Sequence, residues 1–337
     1  MKKKPSYIAV LCALGIALLA AIVISAMLGR YPISVKEIGG ILLSRLFDIE
    51  RFWKPIAESL LLQSRLPRIF LACLVGCSLS AAGASYQGVF QNPMAAPDIL
   101  GASSGAAFGA ALAILLGLGK GMVIAMAFGA SLLCVVLVIF VGNRARGKRV
   151  VGLILAGIMI SSLFSSGTSY IKLVADPSDQ LPAITYWLMG SLNGTMPSDV
   201  WFALIPMTMG LIPLFFLRWR INLLTLGDAE ARTMGVHASR LRVIVILCAT
   251  LITAAAVSVS GVIGWVGLVI PHLARRLIGN DYRKLLPASM LMGALFLLIV
   301  DDISRNALAT EIPIGILTSL IGAPFFIYLM TREGERL

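Results

Sequence analysis

Charged residues are scarce in this sequence. They make up 13% of the 337 residues, whereas hydrophobic residues make up 58%, and the mean hydropathy is +0.93. A soluble domain carries about a quarter charged residues, so this chain has too few polar side chains to coat a water-soluble globule of its size. The apolar runs are about 20 residues long and show no alternation of period two, which excludes a membrane barrel. The composition predicts a helical integral membrane protein.

Reactive side chains are also few. The two histidines, His237 and His272, have no partner at metal-binding spacing, and no G-x-S-x-G motif is present. GLGKG at 117–121 resembles a phosphate loop, but isoleucine and glycine occupy the positions that require glycine and Ser or Thr. Five cysteines fall inside apolar runs, where we expect them to pack as small apolar groups: Cys12, Cys73, Cys77, Cys134 and Cys248. The sequence predicts no catalytic residues, no cofactor and no metal site.

The apolar runs predict a single transmembrane domain over residues 1–337. Ten spans are expected, at 7–29, 69–89, 100–118, 122–142, 150–173, 199–217, 241–259, 262–277, 286–304 and 313–330. The first run is longer than the apolar part of a signal peptide, and no small-residue cleavage motif follows it, so we predict that it is retained.

The basic residues predict an orientation. With the N-terminus in the cytoplasm, most of the 28 Lys and Arg residues fall in cytoplasmic segments, and ten spans return the C-terminus to the same side. This asymmetry accounts for the net charge of +12 without a nucleic-acid partner. Three arginines fall outside and are not explained by topology: Arg65, Arg68 and Arg305.

Two outside segments are longer than simple turns. Residues 30–64 carry helical apolar spacing, which predicts a surface helix lying over the bundle, with its apolar positions at Ile33, Ile38, Ile41, Leu42 and Leu46. Residues 174–198 predict a short apolar helix, too brief to span, that lines a cavity or mouth.

The cytoplasmic segment 222–240 contains a short helical stretch between Gly227 and Gly235. Its residues suit either a solvated loop helix or a docking element that receives force from a cytoplasmic partner. An ion-coupled secondary transporter is the main alternative, although the acidic residues lie at span ends or in loops rather than at the membrane midplane. A membrane enzyme or scaffold is a further alternative, but the chain lacks a reactive constellation.

Several long motifs occur in a fixed order. They are RLPR (65–68), AAGASYQGVFQNPMAAPDILGASSGA (81–106), LLTLGDAEARTMGV (223–236), GVIGWVGLVIPHLARR (261–276), LLPASMLMGALFLLIVDDISR (285–305) and EIPIGILTSLIGAPFF (311–326). With these motifs the chain resembles the membrane permease subunit of the ABC importers for iron-siderophores, haem and vitamin B12, from about residue 33 to 330.

The resemblance implies an all-α polytopic bundle that works as a homodimer in the cytoplasmic membrane of a bacterium or archaeon. It also implies two ATP-binding cassette ATPase subunits, which hydrolyse the ATP, and an extracytoplasmic substrate-binding protein. An iron-siderophore is the expected cargo, and haem, cobalamin and a molybdate-type oxyanion remain open.

The resemblance also implies roles for particular residues. Arg65, Arg68 and Arg305 match positions that dock the binding protein. Asn92 and Met94 match a cytoplasmic gate, and Val150 and Val151 align with a second gate element where some relatives carry small hydroxyl residues. The ATPase-coupling segment matches Leu226, Gly227, Asp228, Glu230, Ala231, Arg232 and Gly235.

The stretch QNPMAAPDILGASSGAAFGA, residues 91–110, interrupts two apolar runs. Pro93 and Pro97 prevent the second span from continuing. Gly101, Gly105 and Gly109 recur every four residues, which predicts a stripe that lets the third span pack closely against a neighbour. We therefore expect a rigid turn followed by a closely packed helix, and the resemblance adds a gate to that turn.

Overall fold

The computed structural model describes residues 6–144 and 149–333, and all regular structure in these ranges is helical. The all-α prediction is confirmed. The helices are α1 (Tyr7–Met27), α2 (Val35–Leu43), α3 (Pro55–Ser59), a π-helical segment (Leu60–Arg65), α4 (Leu66–Val89), α5 (Ala102–Leu115), α6 (Lys120–Gly142), α7 (Arg149–Val174), α8 (Gln180–Leu188), α9 (Pro197–Leu224), α10 (Asp228–Thr233), α11 (Ala238–Ser260), α12 (Val266–Ile278), α13 (Tyr282–Asn306) and α14 (Ile314–Glu333).

Within the described residues, seven helices are long and apolar enough to cross a membrane, namely α1, the continuous stretch Pro55–Val89, α6, α7, α9, α11 and α13. The ten predicted spans each contain a helix, but not every one is a full crossing. The predicted spans 100–118 and 262–277 contain only α5, with 14 residues, and α12, with 13, and in the span 313–330 the described apolar stretch of α14 is Ile314–Tyr328. The span 262–277 is shortened because Gly261 and Trp265, at φ +66° and +69°, break the helical backbone.

Helix α4 forms the core of the bundle. It is largely buried and packs against α9, α11, α12 and α13. One close approach is between Gly76 and Gly293, where a Cβ added to Gly76 would lie 2.2 Å from the carbonyl oxygen of Gly293. Without side chains at these positions the two backbones touch, which is how membrane helices gain packing energy where lipid offers no hydrophobic drive.

The predicted glycine stripe of α5 is confirmed. A Cβ on Gly105 would lie 2.6 Å from the carbonyl oxygen of Ala130, and one on Gly109 would lie 2.2 Å from that of Met126. Both carbonyls belong to α6, so the stripe lets α5 and α6 pack backbone to backbone.

The predicted surface helix is α2, and only part of its predicted apolar face is buried. Ile33, Ile38 and Ile41 are buried, but Leu42 and Leu46 are exposed, Leu46 by 79%. Ser34 begins α2 with a capping box, since its Oγ accepts from the backbone N–H of Glu37 and its own N–H donates to that glutamate. The short helix predicted within 174–198 is α8.

Long-range contacts define two ends of the bundle. We call one the basic end: it comprises residues 87–98, 218–242 and 275–284, and the start of α1 lies there because Lys284 Nζ is 5.8 Å from the ring centroid of Tyr7. We call the other the far end, and it comprises residues 25–68, 115–121, 176–199 and 301–313.

Candidate functional site

The predicted coupling segment forms a short helix at the basic end. Gly227, at φ +123°, separates α9 from α10, and Gly235, at φ +78°, follows α10, so both turns use backbone conformations that other residues rarely adopt. Ala231 is fully buried and anchors α10, whereas Leu226 and Met234 are more than half exposed on either side of it. The segment is thus anchored to the bundle by Ala231 and exposes an apolar side chain on either side of it.

Arg242 fixes α10 to the bundle. Its buried guanidinium donates to both carboxylate oxygens of Asp228, at 2.8 and 3.3 Å, and its Nε–H donates to the carbonyl of Val89 at 3.4 Å. These hydrogen bonds lower the pKa of Asp228 below its usual range. The planar fork of arginine allows one side chain to reach both α10 and the end of α4.

Helix α4 ends in a left-handed turn made by a residue other than glycine. Gln91 has φ +51°, and the N–H groups of Gln91 and Asn92 donate back to the carbonyls of Gly88 and Gln87, the pattern of a Schellman cap. A side chain at this backbone conformation costs about 1 kcal/mol. The Gln91 side chain in turn donates to the carbonyl of Leu224, the last residue of α9, at 2.6 Å.

The predicted gate residues lie directly after this turn or at the start of α7. The Oδ1 of Asn92 accepts the N–H of Met94 at 2.9 Å, so the turn at Pro93 is held internally. Met94 and Val151 are exposed and Val150 is half-buried. The gate role of these four residues stays a prediction.

The three arginines predicted to dock a binding protein do lie together at the far end, but Arg65 and Arg68 are buried and Arg305 is partly buried. Arg65 donates to the carbonyls of Ala26 and Met27, at 2.7 and 3.1 Å, and to that of Tyr31. Arg65 is the last residue of the π-helical segment, whose wider turn accommodates Pro67.

Arg68 and Arg305 belong to an ion-pair network. Arg68 pairs with Asp301, which is fully buried, at 2.9 Å and with Glu311 at 3.0 Å. Arg305 pairs with Asp302 and donates to the carbonyl of Ser25 at 2.7 Å. A buried guanidinium without an acid is costly, so these partners hold the side chains inward rather than leaving them on the surface. Their docking role stays a prediction. It requires that these side chains first leave their present partners, because in this arrangement they point inward.

A cavity of about 370 Å³ opens near the network, between α6, α8, the end of α11 and the loop that precedes α14. The N–H of Ser191 donates to the carbonyl of Ser260 at 2.7 Å, and that of Ile314 to the carbonyl of Gly190 at 2.8 Å, so non-helical backbone joins the ends of α8, α11 and α14. The cavity is lined by Lys120, Tyr186, Trp187, Ser258, Ser260 and Glu311, among others.

The charges of this cavity are already paired. Lys120 Nζ donates to Asp199 at 2.5 Å and to the carbonyl of Gly194 at 2.7 Å, and Glu311 accepts from Arg68. The hydroxyl and aromatic groups that line the cavity are therefore the ones available to contact a bound molecule. Among the described residues no cluster of His, Cys, Asp and Glu is arranged to hold a metal ion. Of the cysteines, Cys12 is exposed on α1 rather than packed, contrary to expectation.

Comparison with known proteins identifies the family of this chain. The family model described as the FecCD transport family matches residues 17–332, which is nearly the whole chain. The chain belongs to the FecCD transport family. Proteins similar to this chain are described as permease proteins of import systems and as an ABC transporter. The chain is accordingly a multi-pass membrane permease of an ABC importer, and ATPase and binding-protein partners are implied by its relatives.

Several known proteins are similar to this chain over most of their length. The molybdate import system permease protein MolB of Haemophilus influenzae is 40% identical over 98% of both chains. A probable iron chelatin transport system permease of Helicobacter pylori is 44% identical over 81% of this chain and 82% of its own. A solved ABC transporter of the metal-chelate type, in an inward-facing conformation, matches with a TM-score of 0.86 and 37% identity, over 96% of this chain and 99% of its own.

Sequence reasoning about this family member missed the contacts that anchor the coupling segment. Gln91 lies inside the motif 81–106 without an assigned role, and Arg242 lies outside the motifs. The carbonyls that they bind, those of Leu224 and Val89, are 133 and 153 positions away. Glu311 was within a family motif, but nothing in its neighbourhood indicated a bond to Arg68. The one available signal was the need to satisfy a cation inside an apolar segment, which applies to Arg68 and Arg242 alike.

Proposed function

We propose that two copies of this permease form the translocation pathway of a binding-protein-dependent ABC importer in the cytoplasmic membrane of a bacterium or archaeon. Membership of the FecCD family over residues 17–332 carries the proposal. Two ATPase subunits supply the energy, and a substrate-binding protein delivers the cargo from the other side.

The basic end faces the cytoplasm in this proposal. The segments 218–242 and 275–284 bring nine arginines and lysines and only three acidic residues to one end, where the start of α1 also lies. Basic residues beside short loops are retained on the cytoplasmic side during insertion, which supports this orientation. The far end then lies outside.

Helix α10 is the proposed contact for the ATPase. Leu226 and Met234 are exposed apolar groups, and Glu230 and Arg232 are exposed charges between them. Apolar groups that fill a groove, with charges that fix the register, are the usual composition of a protein interface. Gly227 and Gly235 leave α10 joined to its neighbours by turns rather than by continuous helix.

The second copy packs on the face of α7 in this proposal. Ser162, Ser165, Ser166 and Ser169 are exposed on this helix, although it is long enough to span the membrane. Lipid offers no partner to a hydroxyl group, whereas another helix or a water-filled pathway does. The serine face therefore supports a homodimer with a pathway at or beside its interface.

The proposed cargo is a metal chelate of the iron-siderophore type. The far-end cavity supports a passing cargo rather than a tightly held one, because Lys120 and Glu311 are already paired. Affinity then resides in the binding protein. The likeness to MolB over 98% of both chains favours a molybdate-type oxyanion as the second candidate.

Binding-protein docking is proposed to use the exposed far-end surface above Arg65, Arg68 and Arg305. Exposed cations on that surface include Lys36 and Lys54. Replacing both with glutamate is expected to weaken association with the binding protein, most strongly at low salt. Arg220→Glu, at the basic end, serves as the control, and equal binding by both variants would contradict this assignment.

Uptake into proteoliposomes tests the proposed function. The permease is reconstituted with its ATPase and binding protein, and uptake of iron-siderophore and of molybdate is measured with ATP and with an ATPase variant that cannot hydrolyse it. ATP-dependent uptake of one cargo is expected. Uptake that persists with the inactive ATPase and stops when a proton or sodium gradient is removed would instead establish the ion-coupled alternative.

A further inference from the structure

We propose that Gln91 and Arg242 form a two-point clamp that ties both ends of the coupling segment to the end of α4, so that movement of α10 is passed to the gate segment 91–98. The inference rests on the proposed function, because it requires an ATPase acting on α10. It assigns positioning roles to two residues to which the resemblance gives no role, Gln91 inside the motif 81–106 and Arg242 outside the coupling motif 223–236.

The first point of the clamp lies where the coupling segment begins. The Gln91 side chain donates to the carbonyl of Leu224, the last residue of α9, at 2.6 Å. Leu224 is itself fully buried, so its carbonyl moves with the end of α9. Gln91 is also the first residue of the gate segment, and it is separated from Asn92 by a single peptide bond.

The second point lies where the coupling segment ends. Arg242 stands in the first turns of α11, and only 4% of it is exposed. It holds Asp228, the first residue of α10, and the carbonyl of Val89, the last residue of α4, on one guanidinium. A displacement of α10 therefore pulls on Arg242 and through it on the last turn of α4.

A third contact sets where the end of α4 can bend. Arg275 of α12 donates to the side chain of Gln87 at 2.5 Å and to the hydroxyl of Tyr282 at 3.3 Å. Gln87 is only 2% exposed, so this turn of α4 is fixed to α12 and α13. Movement transmitted by the clamp is then confined to the residues that follow Gln87, which are the cap and the gate segment.

The backbone of Gln91 distinguishes a clamp from a simple helix cap. A cap alone is best served by glycine, which adopts positive φ without strain, and glutamine is an unfavourable choice there. The side chain of Gln91 gains its contact with Leu224 at the expense of that strain. Strain that persists in a folded protein points to a function for the residue that bears it.

Two substitutions of Gln91 separate these roles. Gln91→Gly removes both the strain and the contact, and Gln91→Asn tolerates positive φ but is one methylene too short to reach Leu224. Both variants are expected to keep or raise the thermal stability of the purified permease. ATP-driven uptake in the reconstituted complex is expected to fall roughly three- to tenfold, while ATP hydrolysis continues.

Substitution of Arg242 tests the second point. Arg242→Lys retains the positive charge but lacks the fork that reaches Asp228 and Val89 together. It is expected to lower uptake per ATP hydrolysed by a similar factor. Arg220→Lys, an exposed arginine at the same end of the bundle, is the matched control and is expected to leave that ratio unchanged.

A labelling measurement reports on the gate itself. In a Met94→Cys variant of the complex, modification of residue 94 by a membrane-impermeant maleimide is followed by peptide mass spectrometry, with ATP and orthovanadate and without nucleotide. A nucleotide-dependent change in labelling is expected with Gln91 present, and its loss is expected when Gln91→Gly or Arg242→Lys is added.

The outcomes separate the inference from the proposed function. Unchanged uptake per ATP and unchanged labelling in Gln91→Gly and Gln91→Asn would overturn the clamp while the wild-type complex still imports. Loss of ATPase binding by either variant would also overturn it, because the clamp acts after the ATPase has bound. A wild-type complex without ATP-driven uptake would overturn the proposed function and the clamp with it.

Discussion

The two ends of the bundle are held by different kinds of contact. At the far end, buried ion pairs join α1, α4, α13 and the 307–313 loop, with Arg68, Asp301 and Arg305 almost fully withdrawn from solvent. At the basic end, the coupling segment contacts the bundle through Ala231, the Gln91 bond and the Arg242 fork, and it exposes Leu226 and Met234.

The difference indicates which end moves within one chain. Buried charges at the far end leave partner groups uncompensated if they separate, so that end resists deformation. The basic end can shift by exchanging a few hydrogen bonds, most of which lie beside exposed residues. Force applied to α10 therefore displaces the basic end before it disturbs the far end.

The largest expected effect comes from breaking the far-end network. Arg68→Met leaves Asp301 fully buried without its nearest cation, which is expected to cost about 3–5 kcal/mol of unfolding free energy. Denaturant unfolding of the permease in mixed lipid–detergent micelles measures this. Adding Asp301→Leu is expected to recover much of the loss.

Arg283→Met provides the basic-end counterpart of that change. Arg283 pairs with Asp281 at 2.8 Å, but the arginine side chain is 57% exposed, so its removal is expected to leave stability nearly unchanged. Equal losses in Arg68→Met and Arg283→Met would remove the distinction between the two ends.

The next largest effect is expected at the close contact between α4 and α13. Gly76→Ala places a Cβ 2.2 Å from the carbonyl of Gly293, so the two helices must separate, at an expected cost of about 1–3 kcal/mol. Gly129→Ala in α6 is the control, since nothing lies within 4 Å of its added Cβ and alanine favours helix. A stability of Gly76→Ala matching this control would show that the contact is looser than described.

A smaller effect concerns pH at the basic end. The hydrogen bonds from Arg242 depress the pKa of Asp228, so the stabilisation from this pair is complete above the ordinary carboxyl pKa of about 3.9 and is lost only as pH falls through the lower folded value. Hydrogen exchange of residues 228–233, corrected for intrinsic rates, is expected to show equal protection between pH 8 and pH 5. Asp228→Asn is expected to lower protection throughout, and a decline toward pH 5 in the wild type would contradict the pairing.

The smallest effect belongs to exposed ion pairs at the far end. Arg51 donates to Glu58 at 2.9 Å and is 57% exposed, so Arg51→Ala is expected to cost less than about 1 kcal/mol, and less again at high salt. A loss comparable with that of Arg68→Met would mean that burial does not decide the strength of the far end.

Much of the fold was predictable from composition and spacing. The apolar runs located the helices, and the four-residue glycine repeat located the face that α5 turns toward α6. The short α12 was not predictable by hydropathy, because the break before it comes from the backbone of Gly261 and Trp265 inside an apolar run.

The candidate site was predictable only in part. The turn after α4 and the helix between Gly227 and Gly235 follow from local residue types. The burial of Arg68 does not, because its acids lie 233 and 243 positions away and sequence alone gives no distance between them. The bond between Gln91 and Leu224 was not predictable either. It depends on a positive φ at Gln91, and the sequence has no glycine there to indicate that conformation.

The most direct test of the central claim is segment-resolved hydrogen exchange of the permease–ATPase complex in lipid, with and without ATP and orthovanadate. The account predicts that exchange in 222–242 and in 88–98 changes together, while 65–71 and 301–306 remain equally protected in both states. Changes of similar size at the far end, or a change in 222–242 that leaves 88–98 unaffected, would contradict it.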